Sequence, residues 1–305
     1  MTVVLVTASC AKADRDGEQI CFRVSADATK SIISGTDMPS TYTMYVSSKF
    51  TNLTDPGNSG NYFVARPFRE NSGRWVSSPA SIWPLGGKLN FLSVACEDGI
   101  DVTEDVSWSG GDCSRGLVVK LKDGSCLDSE ILYAAAENRT SEDGGVSLQF
   151  RHTQSWLQFS VSTNAETVRI DSIKVMDVYT GGTLRIDNRN YTSAEWSFRG
   201  HRKSDRIVPG SKGLIPQSGT PAVCNMLVPQ QDACDIDIYY SLKSNPSDDW
   251  STAVGGVYHY EADATLWRYG EKNVFCIRFD FAEITMTSSV KEWGEETVDI
   301  SIEHE

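Results

Sequence analysis

The chain has 305 residues, and its 28 Lys and Arg against 41 Asp and Glu give a formal net charge of −13. Hydrophobic residues make up 40% and charged residues 23%, an ordinary globular composition that excludes a disordered chain. The acidic balance argues against a nucleic-acid partner, and the lack of any run of about 18 apolar residues excludes a transmembrane helix.

The first ten residues form a short apolar stretch that ends in Ala8-Ser9-Cys10, and a polar segment follows as far as Gln19. Small residues before a Cys are typical of a bacterial lipoprotein signal, whose Cys becomes the lipidated first residue of the mature protein. We therefore expect cleavage before Cys10 and lipidation of Cys10, with residues 1–18 as signal and polar tether and the lipid as the only membrane contact. The alternative is a buried N-terminal strand with an ordinary Cys. A start codon placed too late would explain the missing basic residues.

Period-two alternation of apolar and polar residues dominates the rest of the chain and predicts antiparallel strands with one face on a core. The first predicted strand, residues 19–26, places Ile20, Phe22, Val24 and Ala26 on one face. The same alternation recurs at 117–122, 157–162, 235–242, 275–281 and 298–303. The best helical candidate, residues 127–138, is short and ambiguous.

Turn signals such as Asp55-Pro56-Gly57 and Asp123-Gly124 separate these strands. Many short strands with turns every 8–12 residues or so predict an all-β protein of the β-sandwich type. At roughly 150 residues per domain, the length predicts two sandwiches in tandem. We place them at residues 19–163 and 164–305, with an alternative boundary in the basic loop near 200–212.

The residues that usually carry chemistry form no catalytic or metal-binding pattern. The eight cysteines have no CxxC spacing, so zinc gets no support; we expect mostly thiols, and the pairing stays open. His152 ends an apolar alternation and is expected to be a satisfied, half-buried residue rather than a catalytic base. The acidic pairs, such as Asp248-Asp249, lack the ligand ladder of a calcium loop and indicate solvated loops. We therefore expect no enzyme activity, no cofactor and no metal.

Aromatic residues leave a second function open. Five tryptophans lie at predicted strand ends or in loops, where they could be core residues or sugar-stacking platforms: Trp83, Trp108, Trp196, Trp250 and Trp267. The alternative function is therefore a monomeric surface lipoprotein that binds a glycan or a protein ligand.

Six short strings occur in a fixed order along the chain. They are Asp27-Ala28-Thr29-Lys30, Ser81-Ile82-Trp83-Pro84, Ile131-Leu132-Tyr133-Ala134, Gly213-Leu214-Ile215-Pro216-Gln217, Trp267-Arg268-Tyr269-Gly270 and Val290-Lys291-Glu292-Trp293. In that order and spacing they resemble the fimbrillin-like (FimA/Mfa-type) pilins of Bacteroidia. The resemblance covers nearly the whole chain.

This resemblance implies two tandem Greek-key, transthyretin-like β-sandwiches and export as an outer-membrane lipoprotein. It also implies that a trypsin-like protease removes the N-terminus together with the first strand, and that the opened groove accepts a strand from the next subunit. By position, Lys30 is the cut site, although the stalk proteins of the family prefer Arg. Arg23 is the other basic candidate, but it lies in mid-strand and would be protected.

The same resemblance places the donated strand in the C-terminal segment 285–302. Val298, Ile300 and Ile302 are the donor candidates, because they form one apolar face. The partners implied are other pilin subunits, either further copies or minor fimbrial subunits, together with a host or bacterial surface ligand. The protein is then expected in a fimbria at the cell surface, with a role in cell adhesion.

Overall fold

The computed structural model describes residues 19–26, 38–97, 106–108, 117–124, 130–164, 167–186, 194–217, 220–279 and 284–292. These ranges contain strands and only short 3-10 turns, at Pro56–Asn58, Ser141–Asp143 and Trp250–Thr252. The predicted all-β class is therefore confirmed. Within the same ranges, no helix has the length and apolarity needed to cross a membrane.

The described strands divide between two halves of the chain. Those of the first half are β1 (Phe22–Ala26), β2 (Tyr42–Thr51), β3 (Gly60–Asn71), β4 (Arg74–Val76), β5 (Lys88–Glu97), β6 (Val106–Trp108), β7 (Leu117–Leu121), β8 (Ile131–Arg139), β9 (Val146–His152) and β10 (Gln154–Thr163). Those that follow are β11 (Val168–Val178), β12 (Gly182–Ile186), β13 (Ala194–Ser197), β14 (Ser204–Ile207), β15 (Ala222–Pro229), β16 (Gln231–Asp232), β17 (Ile236–Leu242), β18 (Val254–Tyr260), β19 (Leu266–Trp267), β20 (Glu271–Phe279) and β21 (Ile284–Glu292). Five of the six alternating segments coincide with strands, and the sixth, 298–303, lies outside the described residues.

Seven strands of the first half close into a barrel in the order β1-β4-β3-β2-β5-β8-β9. Its interior is rich in aromatic rings, among them the buried Phe22, Phe68, Phe91 and Phe150. β1 completes the ring, since it joins β4 on one side to β9 on the other. The first strand of the chain is therefore a structural part of the first core.

Strand β8 occupies most of the segment that was the best helical candidate. Leu132 and Ala134 face the barrel interior, whereas Ile131 and Tyr133 face a second apolar cluster on the outside. A strand buried on both faces has a continuous apolar run, which periodicity cannot distinguish from a buried helix. Pairing with β5 and β9 decides the matter in favour of a strand.

The outer cluster is covered by a small sheet in the order β13-β12-β7-β6. In this sheet Leu184 of β12 pairs with Val119 of β7, and both side chains are buried. Residues from beyond position 164 thus complete the packing of the first half. This pairing crosses the boundary expected at residues 163 and 164, and that division of the chain into domains stays a prediction.

Two further four-stranded sheets, β15-β10-β20-β21 and β14-β11-β17-β18, form a second layered unit, which takes β10 from the first half of the chain. Their inner faces share one apolar core, to which Leu157, Phe159 and Val161 of β10 and Ile236 and Ile238 of β17 contribute. The hydroxyl of Tyr260 on β18 donates to Ser288 on β21 at 3.1 Å. The edge of one sheet at β18 and the edge of the other at β21 therefore lie on the same side of this second layered unit.

Candidate functional site: the seat of the first strand

Strand β1 lies between two strands that have no other link to each other within the described barrel. It runs parallel to β9, with a register from Phe22 opposite Val146 to Ala26 opposite Phe150. On its other side Phe22 is opposite Trp75 of β4. Just before the strand, the amide of Ile20 donates to the carbonyl of Ser81 at 2.7 Å. Without β1, the edges of β4 and β9 would be open.

The side chains of β1 are anchored in the barrel interior. Ile20 and Phe22 are fully buried, and Val24 is half-buried against the same cluster. The Phe22 ring makes edge-to-face contacts with Phe68 at 4.9 Å and with Phe91 at 5.1 Å between centroids. Burial of two such side chains stabilises the fold by about 3–6 kcal/mol. Three of the four predicted inward residues thus occupy one apolar site in the barrel interior, lined by rings such as Phe68 and Phe91, which we call the seat of β1. The side chain of Ala26 lies outside the described set.

The opposite face of β1 carries the basic residue that was considered as a second cut site. Arg23 is exposed, but its backbone lies inside the strand, opposite Ser147 of β9. A protease needs an extended, accessible backbone, so paired strand residues resist cleavage. Lys30 lies four residues after the end of β1. Both Lys30 and Cys10 are outside the described residues.

The C-terminal segment is described only in its first part. Strand β21 pairs with β20 along its whole length, from Glu271 opposite Glu292 to Phe279 opposite Ile284. Residues 285–292 of the expected donor segment are therefore a strand of the second layered unit, with Ile284 and Met286 packed against its core. Val298, Ile300 and Ile302 lie outside the described residues.

His152 is more deeply buried than the sequence indicated. It is almost fully shielded, and its Nδ1 atom contacts Oε1 of Glu130, which is equally buried. Burial, and then the Glu130 carboxylate, raise the pKa of Tyr42 well above its ordinary value. Sequence reasoning missed Glu130, because a carboxylate in a polar segment usually lies at the surface. The three residues form a buried polar contact at the junction of β2, β8 and β9.

Two further histidines bind carboxylates at the surface. His201 Nδ1 lies 2.8 Å from Asp123 Oδ1, and this hydrogen bond lowers the pKa of Asp123. His259 Nδ1 lies 2.7 Å from Asp237 Oδ1, directly across from it on the neighbouring strand. Asp248 and Asp249 accept hydrogen bonds from backbone amides of their own turns. In the described ranges, no three His, Cys, Asp or Glu side chains gather as a metal site would require.

The pair of His259 and Asp237 predicts a pH-dependent stability. The hydrogen bond to Asp237 raises the pKa of His259 above its ordinary 6.5. The pair therefore stabilises the fold fully below pH 6.5, and this contribution is lost as the pH rises through the higher folded-state pKa. We expect His259→Gln to lower the free energy of unfolding at pH 5.5 and to leave it nearly unchanged at pH 9, as measured by urea denaturation. An equal loss at both values would contradict the ion pair.

Most of the described tryptophans are unavailable as sugar platforms. Trp83 and Trp267 are buried in the two cores, and the indole N–H of Trp196 donates to the carbonyl of Thr153 at 2.6 Å. Trp250 is half-buried, with Arg169 and Lys243 within 5 Å of its ring. The side chain of Trp108 is outside the described set.

The cysteines in the described ranges are thiols. The five that the structure describes carry no disulfide, and Cys224 and Cys234 are buried among apolar residues. Burial raises the pKa of Cys224 to about 12 and that of Cys234 to about 11. Thiols of this kind are poor nucleophiles and act as small core residues.

Comparison with protein families matches residues 36–293 to the family described as fimbrillin-like. No curated protein matches the chain. The solved structures that resemble it include a fimbrial protein of Bacteroides vulgatus, with 11% identity and a TM-score of 0.53, covering 90% of this chain and 99% of that one. A protein of Bacteroides uniformis assigned to cell adhesion has 12% identity and a TM-score of 0.54, with the same two coverages. At such identities the likeness concerns the fold alone.

Proposed function

The chain belongs to the fimbrillin-like family, and we propose on this basis that it is a structural subunit of a fimbria with a role in cell adhesion. It is exported as an outer-membrane lipoprotein through Cys10 and assembled at the cell surface by β-strand exchange after proteolysis. Other pilin subunits are its partners. The observation that carries the proposal is the position of β1, which closes the first barrel and fills its apolar seat.

Removal of β1 would destabilise the barrel in two ways. The backbone N–H and C=O groups of β4 and β9 that face β1 would lose their hydrogen bonds, and unsatisfied backbone groups are costly. The spaces left by Ile20, Phe22 and Val24 would expose the surrounding rings to water. An extended strand with apolar residues at every second position would restore the backbone hydrogen bonds and fill the vacated spaces. This mode of binding is β-strand addition.

Lys30 is the processing site in this proposal. It follows the end of β1 by four residues, so a cut there would separate the whole strand from the rest of the barrel. Arg23 is a poorer candidate, because its backbone is paired with β9. A trypsin-like protease would accept either side chain, so accessibility of the backbone decides between them.

The donated strand in this proposal is the segment that carries Val298, Ile300 and Ile302. Their i, i+2, i+4 spacing is the same as that of Ile20, Phe22 and Val24, so they could occupy the same seat. A contact in which one subunit donates and the next accepts is heterologous, and when it does not close on itself it makes a filament. Two tandem Greek-key, transthyretin-like sandwiches remain the architecture we propose for each subunit.

The N-terminus and intact mass of the native protein from the cell surface test this function directly. We expect a mature chain that begins at Ser31, together with a ladder of oligomers on a detergent gel of unboiled material. A variant with Lys30→Ala should accumulate as the uncut form without a ladder, whereas Arg23→Ala should be processed normally. A native chain that begins at a lipidated Cys10 and gives no ladder would contradict strand exchange.

A further inference from the structure

Among the described strands, β18 presents a free edge at the end of its sheet. β18 pairs with β17, from Ile236 opposite Tyr260 to Leu242 opposite Val254, and it ends its sheet. No strand of the described ranges pairs with its other side. Val254 and Val257 are 71% and 54% exposed. A free edge of this kind presents a row of backbone donors and acceptors to any extended chain.

The other edges of the same unit carry features that discourage pairing. β15 follows Pro221 and ends in Pro229, and β14 has four residues, two of which are charged. β21 ends in Lys291 and Glu292. Short edges, prolines and charges are the usual protections against edge-to-edge association. β18 has seven residues and contains no proline, Lys, Arg, Asp or Glu, and its one basic side chain, His259, is bonded to Asp237.

The sequence of β18 is complementary to itself in the antiparallel direction. If two copies pair with Val257 at the centre, the opposite residues are Val257 with Val257, Gly256 with Tyr258, Gly255 with His259, and Val254 with Tyr260. Each glycine is then opposite a ring of the other copy. The space above Gly256 is already filled by Tyr240 of the same chain, so the opposite ring adds the packing that a glycine lacks at Gly255. The valine and tyrosine pairs belong to a favourable cross-strand class.

The charges around this edge permit the approach of a second copy. The chain carries a net charge of −13, so two copies repel each other over most of their surface. β18 itself contributes no acidic side chain. Asp237 on the neighbouring strand is bonded to His259, and the exposed Glu261, directly after β18, would be opposite Ala253 of the other copy. The edge is thus a place where two copies can approach without opposing like charges.

We propose that β18 pairs with β18 of a second copy of this chain, related by a two-fold axis through Val257. The contact joins two four-stranded sheets into one of eight strands. It is isologous and closes on itself, so it forms a dimer and not a filament. It uses the second half of the chain and does not depend on the exchange of β1, so in a fimbria it would connect subunits of neighbouring filaments.

The test uses the full-length chain produced without export, so that Cys10 stays unmodified. Sedimentation equilibrium from about 5 to 500 μM should show a monomer of 33.6 kDa in reversible equilibrium with a dimer. Val257→Lys places two like charges opposite each other, and we expect it to weaken association by about tenfold or more. The matched control is Val223→Lys on β15, where Val223 is 48% exposed, and it should leave the dimer unchanged. Thermal unfolding must show that both variants fold.

Disulfide trapping tests the register. Paired Cβ atoms of opposite residues lie about 4.5–5.5 Å apart, within reach of a disulfide after small adjustments. In a mixture of isotopically light and heavy Val257→Cys chains, oxidation should give a light–heavy peptide linked between the two introduced cysteines. A monomer over the whole concentration range, an equal loss in both lysine variants, or a link to a native cysteine instead would each overturn the proposal.

Discussion

Replacement of Phe22 by alanine is expected to destabilise the first barrel by about 3–5 kcal/mol, the usual loss when a buried Phe is truncated in a core. The ring is fully buried and makes edge-to-face contacts with Phe68 and Phe91, so its removal leaves a cavity among aromatic neighbours that are held by their own strands. Urea denaturation, followed by tryptophan fluorescence and far-UV circular dichroism, measures the change in the free energy of unfolding.

Arg23→Ala is the matched control for this prediction. Arg23 is the next residue of the same strand, and its exposed side chain lies on the opposite face. We expect a loss of less than about 1 kcal/mol, as is usual for surface positions. Similar losses in the two variants would mean that β1 is held by its backbone pairing and not by its apolar seat. The proposed exchange would then lose its main driving force.

Gly181→Ala is expected to cost about 3 kcal/mol, at the upper end of the range for overpacking. A Cβ atom at this position would lie 2.3 Å from the carbonyl oxygen of Lys122 and 2.7 Å from the amide nitrogen of Asp123. Because these are backbone atoms, no rotamer change can relieve the overlap. The segment between β11 and β12 would have to move away from the end of β7, where Gly124 donates to Thr180 Oγ1 at 2.9 Å.

Gly60→Ala is the control for the glycine prediction. Gly60 begins β3, and a Cβ atom there would meet no atom within 4 Å. We expect its stability to change by less than about 0.5 kcal/mol. Thermal denaturation of both variants gives the comparison. A Gly181→Ala protein as stable as the parent would show that the small sheet of β6, β7, β12 and β13 can shift without loss.

The buried polar contact of Glu130 and His152 could not be predicted from the types of the residues around them. The alternation of Leu148 and Phe150 places His152 on the inner row, and the sequence therefore indicated a partly buried, satisfied residue. Its partner comes from the residue just before β8, 22 positions earlier in the chain. No local pattern can reveal such a pair, because its two members are brought together only by the pairing of β8 with β9.

Local alternation was sufficient to predict the strands at Leu157, Phe159 and Val161, at Ile236 and Ile238, and the inward face of Ile20, Phe22 and Val24. Period two is a property of the extended backbone itself, so one strand carries the whole signal. Six short strings in a fixed order were also sufficient to indicate the family that residues 36–293 match.

Tertiary structure alone decided which strands are neighbours. β1 runs parallel to β9, more than 120 residues away, and β12 leaves the second half to pair with β7. Such pairings depend on how several faces are buried at once, and no single segment encodes this. The same reason explains why β8, covered on both faces, was ambiguous in sequence, and why the unprotected edge of β18 becomes visible only once its sheet is complete.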